Sequence, residues 1–313
     1  MRILVTGGAG FIASHVADAL VERGHEVVIL DNLSTGRREN VPRGARLIEM
    51  DLTSSSLADV VAEVRPEVVD HHAAQADVRQ SVTDPTFDAR VNELGTLALI
   101  QAAIQAGASK FIYASSGGAI YGDPDVVPCD EDHPIRPISP YGASKAAAEI
   151  YLETMSRVHG LDFTVLRYAN AYGPRQHPYT EEGQVVAIFT QLMLAGRQPT
   201  IFGDGAQERD FVYVGDIVEA NVLALKGGSR GTFNIGTGRG LTVNELYQRL
   251  KIMTGYEGDA RYAAPRQGEV FRIALDASRA RAGLGWEATT PLDVGLRRTV
   301  EWIREAMAME QPA

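Results

Sequence analysis

The sequence predicts an α/β protein: a doubly wound parallel sheet covered by helices, with a smaller C-terminal α/β lobe. Three observations predict it. Short apolar runs alternate with longer helix-compatible stretches through the first half of the chain. Glycines stand where those helices must stop. A glycine-rich turn joins the first apolar run to the first helical stretch.

In order, Arg2–Thr6, Glu26–Leu30, Arg46–Met50, Glu67–His71, Lys110–Ser115 and Asp162–Tyr168 read as strands. Phe11–Arg23, Ser55–Val64, Asn92–Ala106 and Tyr141–His159 carry helical spacing, and Gly24, Gly107 and Gly160 follow as stops. Beyond Tyr168 the pattern loosens into a Gly, Pro and Asn-bearing stretch, Asn170–Gly183, where a second lobe is expected to begin. Asp210–Asn221 and Thr232–Gly236 again resemble sheet-domain material. The expected division is therefore residues 1–173 with 211–236 in the large domain, and 174–210 with 237–313 in the smaller lobe.

Composition excludes several classes of partner. With 30 Lys and Arg against 40 Asp and Glu the net charge is -10, so no footprint for nucleic acid or an anionic membrane is expected. No apolar run reaches the roughly 18 to 20 residues of a membrane span. Cys129 is the sole cysteine and cannot form an internal disulfide. With no leader-like segment before the first strand, the expected compartment is reducing and cytoplasmic. No metal site is expected.

The opening strand runs into Thr6-Gly7-Gly8-Ala9-Gly10-Phe11-Ile12-Ala13. Gly7 and Gly10 permit a tight turn and let backbone amides, at the helix start through Phe11 and Ile12, approach a pyrophosphate. This is a Rossmann-type dinucleotide signature, with an ordinary glycine turn as the bland alternative. At the end of the second strand lies Asp31, followed by Asn32, Ser34, Thr35 and Gly36. A carboxylate there accepts from both ribose hydroxyls and repels a 2′-phosphate, which favours NAD over NADP. Asp51 and Leu52 after the third strand are candidates for the adenine, and Ala73, Ala74 and Gln75 after the fourth for the phosphates. Ligands bind outside the carboxyl ends of strands in such sheets, so the four strand ends support one another.

Tyr141 and Lys145 are spaced i,i+4 and share one helical face. A nearby ammonium favours the phenolate, which makes Tyr141 a candidate base near neutral pH. Ser116, leaving the strand that contains Ser115, is a candidate to hold a substrate hydroxyl against it.

With these motifs in place, the chain resembles the extended short-chain dehydrogenase/reductase family, and within it the nucleotide-sugar epimerases. TGGAGFIASH, LDNLSTG, HHAAQA, ASSGGAIYG, SPYGASK, LRYANAYGPRQ, IFGDGAQERDFVYVGD and FNIGTG follow the family's order over nearly the whole chain. The resemblance implies Ser116, Tyr141 and Lys145 as a catalytic trio. It places Asn92, Ser115 and Tyr168 beside the cofactor together with Tyr141 and Lys145. In one respect the chain departs from the family. Ser115 to Tyr121 is one residue longer than in many epimerases, so counting back from Tyr121-Gly122 puts Gly117 in the serine's place, whereas the strand register puts Ser116 there.

The same resemblance implies a UDP-sugar substrate. Arg209 and Arg266 are candidates for its diphosphate, with Asn170 and the backbone around Val186. Glu269 is a candidate for a ribose hydroxyl, and Phe202, beside Thr200, for stacking on uracil. The implied activity is NAD-dependent 4-epimerisation, interconverting UDP-glucose and UDP-galactose through a 4-keto intermediate. A 4,6-dehydratase is the nearest rival, disfavoured because Ser116-Gly117-Gly118 offers no acid. A non-catalytic NAD-binding regulator is the rival from another class. In the family a tyrosine seven residues after the position of Arg266 excludes N-acetylated sugars. Here that count reaches Ile273, which implies tolerance for UDP-N-acetylhexosamines. Pairing of Asn92–Ala106 and Tyr141–His159 between two subunits would give a homodimer.

Overall fold

The computed structural model describes residues 1–176, 185–266 and 270–310. Its first half alternates strands and helices: β1 Arg2–Thr6, α1 Phe11–Glu22, β2 Glu26–Asp31, β3 Arg46–Glu49, α2 Leu57–Val64, β4 Val68–His71, α3 Val78–Thr83 and α4 Pro85–Ala89. A π-helical turn, Arg90–Gly95, leads into α5 Thr96–Gln105. Then come β5 Lys110–Ser116, the short α6 Gly117–Ile120, α7 Pro140–His159, β6 Asp162–Tyr168 and β7 Asn170–Tyr172. The rest comprises α8 Val185–Leu194, β8 Thr200–Phe202, β9 Glu208–Tyr213, α9 Val214–Ala224, β10 Gly231–Ile235, β11 Gly240–Thr242, α10 Val243–Thr254, β12 Arg261–Ala263, α11 Ser278–Leu284 and α12 Leu292–Glu310.

Seven strands form one parallel sheet in the order β10-β6-β5-β4-β1-β2-β3, with β1 between β4 and β2. Because alternate side chains face opposite sides, each strand feeds two cores. Ile3, Val5, Val68 and Ile112 pack with Val16, Leu20 and Ile217 of α1 and α9. Leu4, Val28, Val69 and Phe111 pack with Val61, Leu99 and Leu152 of α2, α5 and α7. The doubly wound arrangement follows from that alternation. A third core, around Phe189, Ile201, Phe211, Leu246 and Val300, joins α8, α10 and α12 to the small sheets β11-β9-β7 and β12-β8.

Boundaries follow the expected ones closely, and the differences have physical causes. The helix of the Tyr-Lys pair begins at Pro140, because the Ser139 hydroxyl caps it by accepting from the Gly142 amide at 3.2 Å and proline suits the first turn. The stretch expected as a single helix from Asn92 instead opens with the π-helical turn, within which Asn92 is drawn to the exit of β4. The segment from Asp210 contributes α9, which packs on α1, but its strand β9 joins the three-stranded sheet. Asp210 explains this placement. Its buried carboxylate accepts from the amides of Thr237, Gly238 and Leu275 and from the Thr237 hydroxyl, which ties β9 across the end of β10. No helix among the described residues is long and apolar enough to cross a membrane.

Candidate active site

The carboxyl ends of β1, β2 and β4 form one edge of a cleft. Gly7 has φ +68°, and a Cβ there would sit 2.8 Å from the Ala73 amide nitrogen, so the glycine turn and the β4 exit meet backbone to backbone. Gly10 closes the turn, its amide donating to the Gly7 carbonyl at 2.9 Å. Asp31 is buried where β2 ends. Its two oxygens accept from the amides of Ala9 at 2.9 Å and Leu33 at 2.8 Å, and Gly36 lies against it because any side chain there would strike the carboxylate. Asn32 donates to Asp51 at 2.7 Å and accepts from the Ser34 amide, while Thr35 is exposed. Hydrogen bonds from the Thr53 hydroxyl and amide hold the Asp51 carboxyl below the usual range. Leu52 is buried under Gly95. Ala73 and Ala74 are half-buried, and Gln75 is fixed by Asn92, which holds both its amide and its carbonyl.

The residues present fit a dinucleotide. The turn at Gly7 admits close backbone approach, and an ionisable carboxylate stands where a ribose would lie.

At the end of β5 the Ser115 hydroxyl donates to Glu149, which is clasped by Arg167 through contacts of 2.6, 3.1 and 3.2 Å. Arg167 also donates to the Tyr121 hydroxyl at 2.7 Å. Lys145 is buried, donates to the Ala114 carbonyl at 2.8 Å, and lies 4.9 Å from the centre of the Tyr113 ring. Burial is the chief cause that lowers its pKa to about 8, opposed by the charges of Asp88 and Glu149. Tyr168 exchanges hydrogen bonds with Asn221 at 2.9 and 3.0 Å and forms part of the cavity wall.

Beyond the strand ends opens a cavity of about 370 Å³. Phe11, Ile12, Ser116, Tyr141, Tyr168, Asn170, Thr200, Phe202, Arg209 and Arg266 all line it. The structure thus brings Ser116 and Tyr141 into one cavity with the two arginines. The Arg266 guanidinium sits 3.8 Å from the centre of the Phe202 ring, so the two act as one surface. Arg209 donates to the carbonyls of Glu208 at 2.9 Å and Phe271 at 3.3 Å. Register favours Ser116 over Gly117. A Cβ at Gly117 would lie 2.4 Å from Leu275, so position 117 faces the core.

Two expectations require correction. Val186 packs into the third core and Val185, at the start of α8, lines the cavity instead, because the helix turns position 186 inward. Ile273 does not reach the cavity. Its amide donates to the Glu208 carbonyl and its side chain is buried in the first core, whereas Val270 reaches the wall. Glu269 lies outside the described residues.

Other residues emerge only from the fold. Gln176 is buried on the cavity wall, donating to the Ala171 carbonyl at 2.9 Å while its Oε1 has no partner among the described residues. Asn170 Oδ1 is likewise unpartnered, so two acceptors belong to residues of the cavity wall. Nothing local in the sequence singles out Gln176. Glu149 did carry a signal, since it continues the Tyr141, Lys145 face by another four residues.

A dinucleotide-type glycine turn and a cavity lined by Tyr141, with Lys145 buried one helical turn further on, define a cofactor-dependent enzyme class of the short-chain dehydrogenase/reductase type. The chain belongs to the NAD dependent epimerase/dehydratase family, whose pattern matches residues 3–236. It is similar to a UDP-glucose 4-epimerase of Mycolicibacterium smegmatis, 45% identical over 97% of this chain and 99% of that protein. Among solved structures it is similar to the UDP-glucose 4-epimerase of Thermotoga maritima with UDP-glucose, with TM-score 0.96 and 50% identity over 98% of this chain and 100% of that one. It is also similar to the Thermus thermophilus UDP-glucose 4-epimerase in complex with NAD, with TM-score 0.94 and 45% identity over 98% of this chain and 100% of that one.

Proposed function

We propose that this chain is an NAD-dependent UDP-glucose 4-epimerase that interconverts UDP-glucose and UDP-galactose through a 4-keto sugar. The observation that carries the reading is the division of one cavity between Ser116 with Tyr141 and Arg209 with the Arg266–Phe202 pair. A nucleoside diphosphate suits the cationic, aromatic wall. A hydroxyl-bearing ring then falls toward the tyrosine.

Bound NAD would supply the hydride acceptor and donor for C4. Tyr141 takes the O4 proton and gives it back, Ser116 holds the same oxygen, and Lys145 keeps a positive charge that favours the phenolate. We assign the sugar hydroxyls to Asn170 and Gln176, two polar residues of the cavity wall. A dehydratase needs a further acid beside the base, and Ser116-Gly117-Gly118 supplies none. The test is turnover of UDP-galactose by purified protein, followed by product analysis.

We assign residues 1–173 and 211–236 to cofactor binding and 174–210 and 237–313 to the nucleotide sugar. UDP-N-acetylhexosamines are included as substrates, since the residue of this segment that lines the cavity is Val270, a small side chain. A preference against them of about 10³ or more in kcat/KM, roughly 4 kcal/mol, would remove that part of the reading. We assign the protein to the cytoplasm as a homodimer. Leu94, Ile150, Tyr151 and Val158 are exposed apolar residues on the π-helical turn and α7, and they support pairing through these elements. Light scattering of wild type and Ile150→Glu tests it: a monomeric wild type would contradict pairing.

A further inference from the structure

Two buried carboxylates act on Lys145, and neither bonds to it directly. Glu149, on the same helix, already has a cation, because Arg167 clasps both its oxygens. Asp88, on α4, has none among the described residues. It is 1% exposed, and its Oδ1 accepts from two neutral amides, Gln75 Nε2 at 3.0 Å and Asn92 Nδ2 at 3.1 Å. Its Oδ2 has no partner among the described residues. Asn92 also donates to the Ser144 hydroxyl at 3.2 Å, which ties this carboxylate to the helix turn that carries Lys145.

We propose that Asp88 is a positioning residue for proton transfer, the buried countercharge that keeps Lys145 an ammonium and acts through it on Tyr141. The assignment rests on the reading of Tyr141 and Lys145 given above. An uncompensated charge in the interior is costly unless an opposite charge lies near, and the interaction is strong there because water does not screen it.

The other titratable groups around Lys145 leave this task to Asp88. His71 of β4 is held neutral by burial, which lowers its pKa well below the usual value. Tyr113 of β5 stays protonated for the same reason. Glu93 of the π-helical turn is raised by burial and by Asp88; burial raises Asp88 as well, opposed by hydrogen bonds from Ser144, Gln75 and Asn92 and by the Lys145 charge itself. Tyr141 and Glu149 share the lysine's own helix. Among all these, Asp88 is the first cause that raises Lys145 against burial. Epimerisation suits such a fixed charge, since the proton taken from the sugar is returned to it within one turnover and no exchange with bulk water is required.

The chain has only four lysines, at 110, 145, 226 and 251, so lysine labelled with ¹³C at Cε gives four side-chain signals, with Lys145→Arg to assign one. In the protein as purified with its cofactor, Lys145 should titrate near pH 8. Asp88→Asn, which preserves the shape of the acceptor, should move that midpoint acidward by about one unit, a tenfold loss of proton affinity. The alkaline limb of the kcat profile should move with it. A midpoint unchanged by Asp88→Asn would overturn the proposal. Should the variant not fold, the wild-type signal still decides. The Lys145 resonance should show a second, smaller step in the acid range as Asp88 takes its proton, and a flat acid limb would overturn the proposal as well. Coupling seen by resonance in a protein that turns over no UDP-sugar would instead leave the countercharge standing and remove the epimerase reading.

Discussion

Asn92 holds the backbone of Gln75 from both sides, its Oδ1 accepting from the Gln75 amide at 2.8 Å and its Nδ2 donating to the Gln75 carbonyl at 2.9 Å. The β4 exit that it braces is the segment against which Gly7 packs. Asn92 therefore has a structural role at the strand end that we assign to the cofactor. Asn92→Ala should leave two buried backbone groups unpaired at a cost of about 2 to 5 kcal/mol. Denaturant unfolding should show the loss. NAD should also leave the purified variant about tenfold faster or more, measured by dialysis, and unchanged retention would contradict the bracing role.

The serine register makes a paired prediction. Ser116→Ala should lower kcat by about tenfold to a hundredfold, the value of one hydrogen bond to a group that gains charge. Gly117→Ser should destabilise the fold by about 1 to 3 kcal/mol through overpacking against Leu275. Combined, the two substitutions should not restore activity. Restored turnover in the double variant would transfer the role to position 117.

Much of this was legible because local pattern and tertiary demand agree. The six strands read from apolar runs are the first six of the large sheet; five of them are inner strands buried on both faces, and the edge strand β3 keeps Leu47 and Ile48 as its apolar pair. Gly7, Asp31 and the Tyr141–Lys145 spacing were equally visible, as each sits in a short local motif at a strand end or on one helical face. What escaped depends on distant partners. Position 186 faces the core only because α8 packs on α10 and α12, and Ile273 turns inward because its chain pairs with Glu208. Gln176 gains meaning only where its side chain meets the cavity. The π-helical turn answers to the Gln75 backbone, 17 residues away from Asn92 in sequence, which no local periodicity records.

Activity and stability should respond to alkaline pH with opposite signs. Lys145 titrates at about 8 in the fold against an ordinary value of 10.5. Above about pH 8 the ammonium is lost, so kcat should fall. Over the interval from 8 to 10.5 the unfolded chain binds this proton and the folded chain does not, so the group's contribution to stability rises with pH. A kcat that stays level to about pH 10 would contradict the role given to Lys145.

The Glu149–Arg167 pair is buried, and removing one partner strands the other. Glu149→Gln should cost about 3 to 5 kcal/mol, while Glu149→Leu with Arg167→Met should cost less than that single change. Thermal unfolding of the three proteins orders them, and a single variant as stable as wild type would contradict the pairing's structural importance.

The most direct test incubates the purified protein, carrying the cofactor with which it is isolated and given no added nicotinamide, with UDP-galactose. UDP-glucose should accumulate to an equilibrium mixture, and Tyr141→Phe should lose most activity although cofactor is retained. No interconversion of any UDP-hexose, or formation of a 4-keto-6-deoxy product in its place, would contradict it.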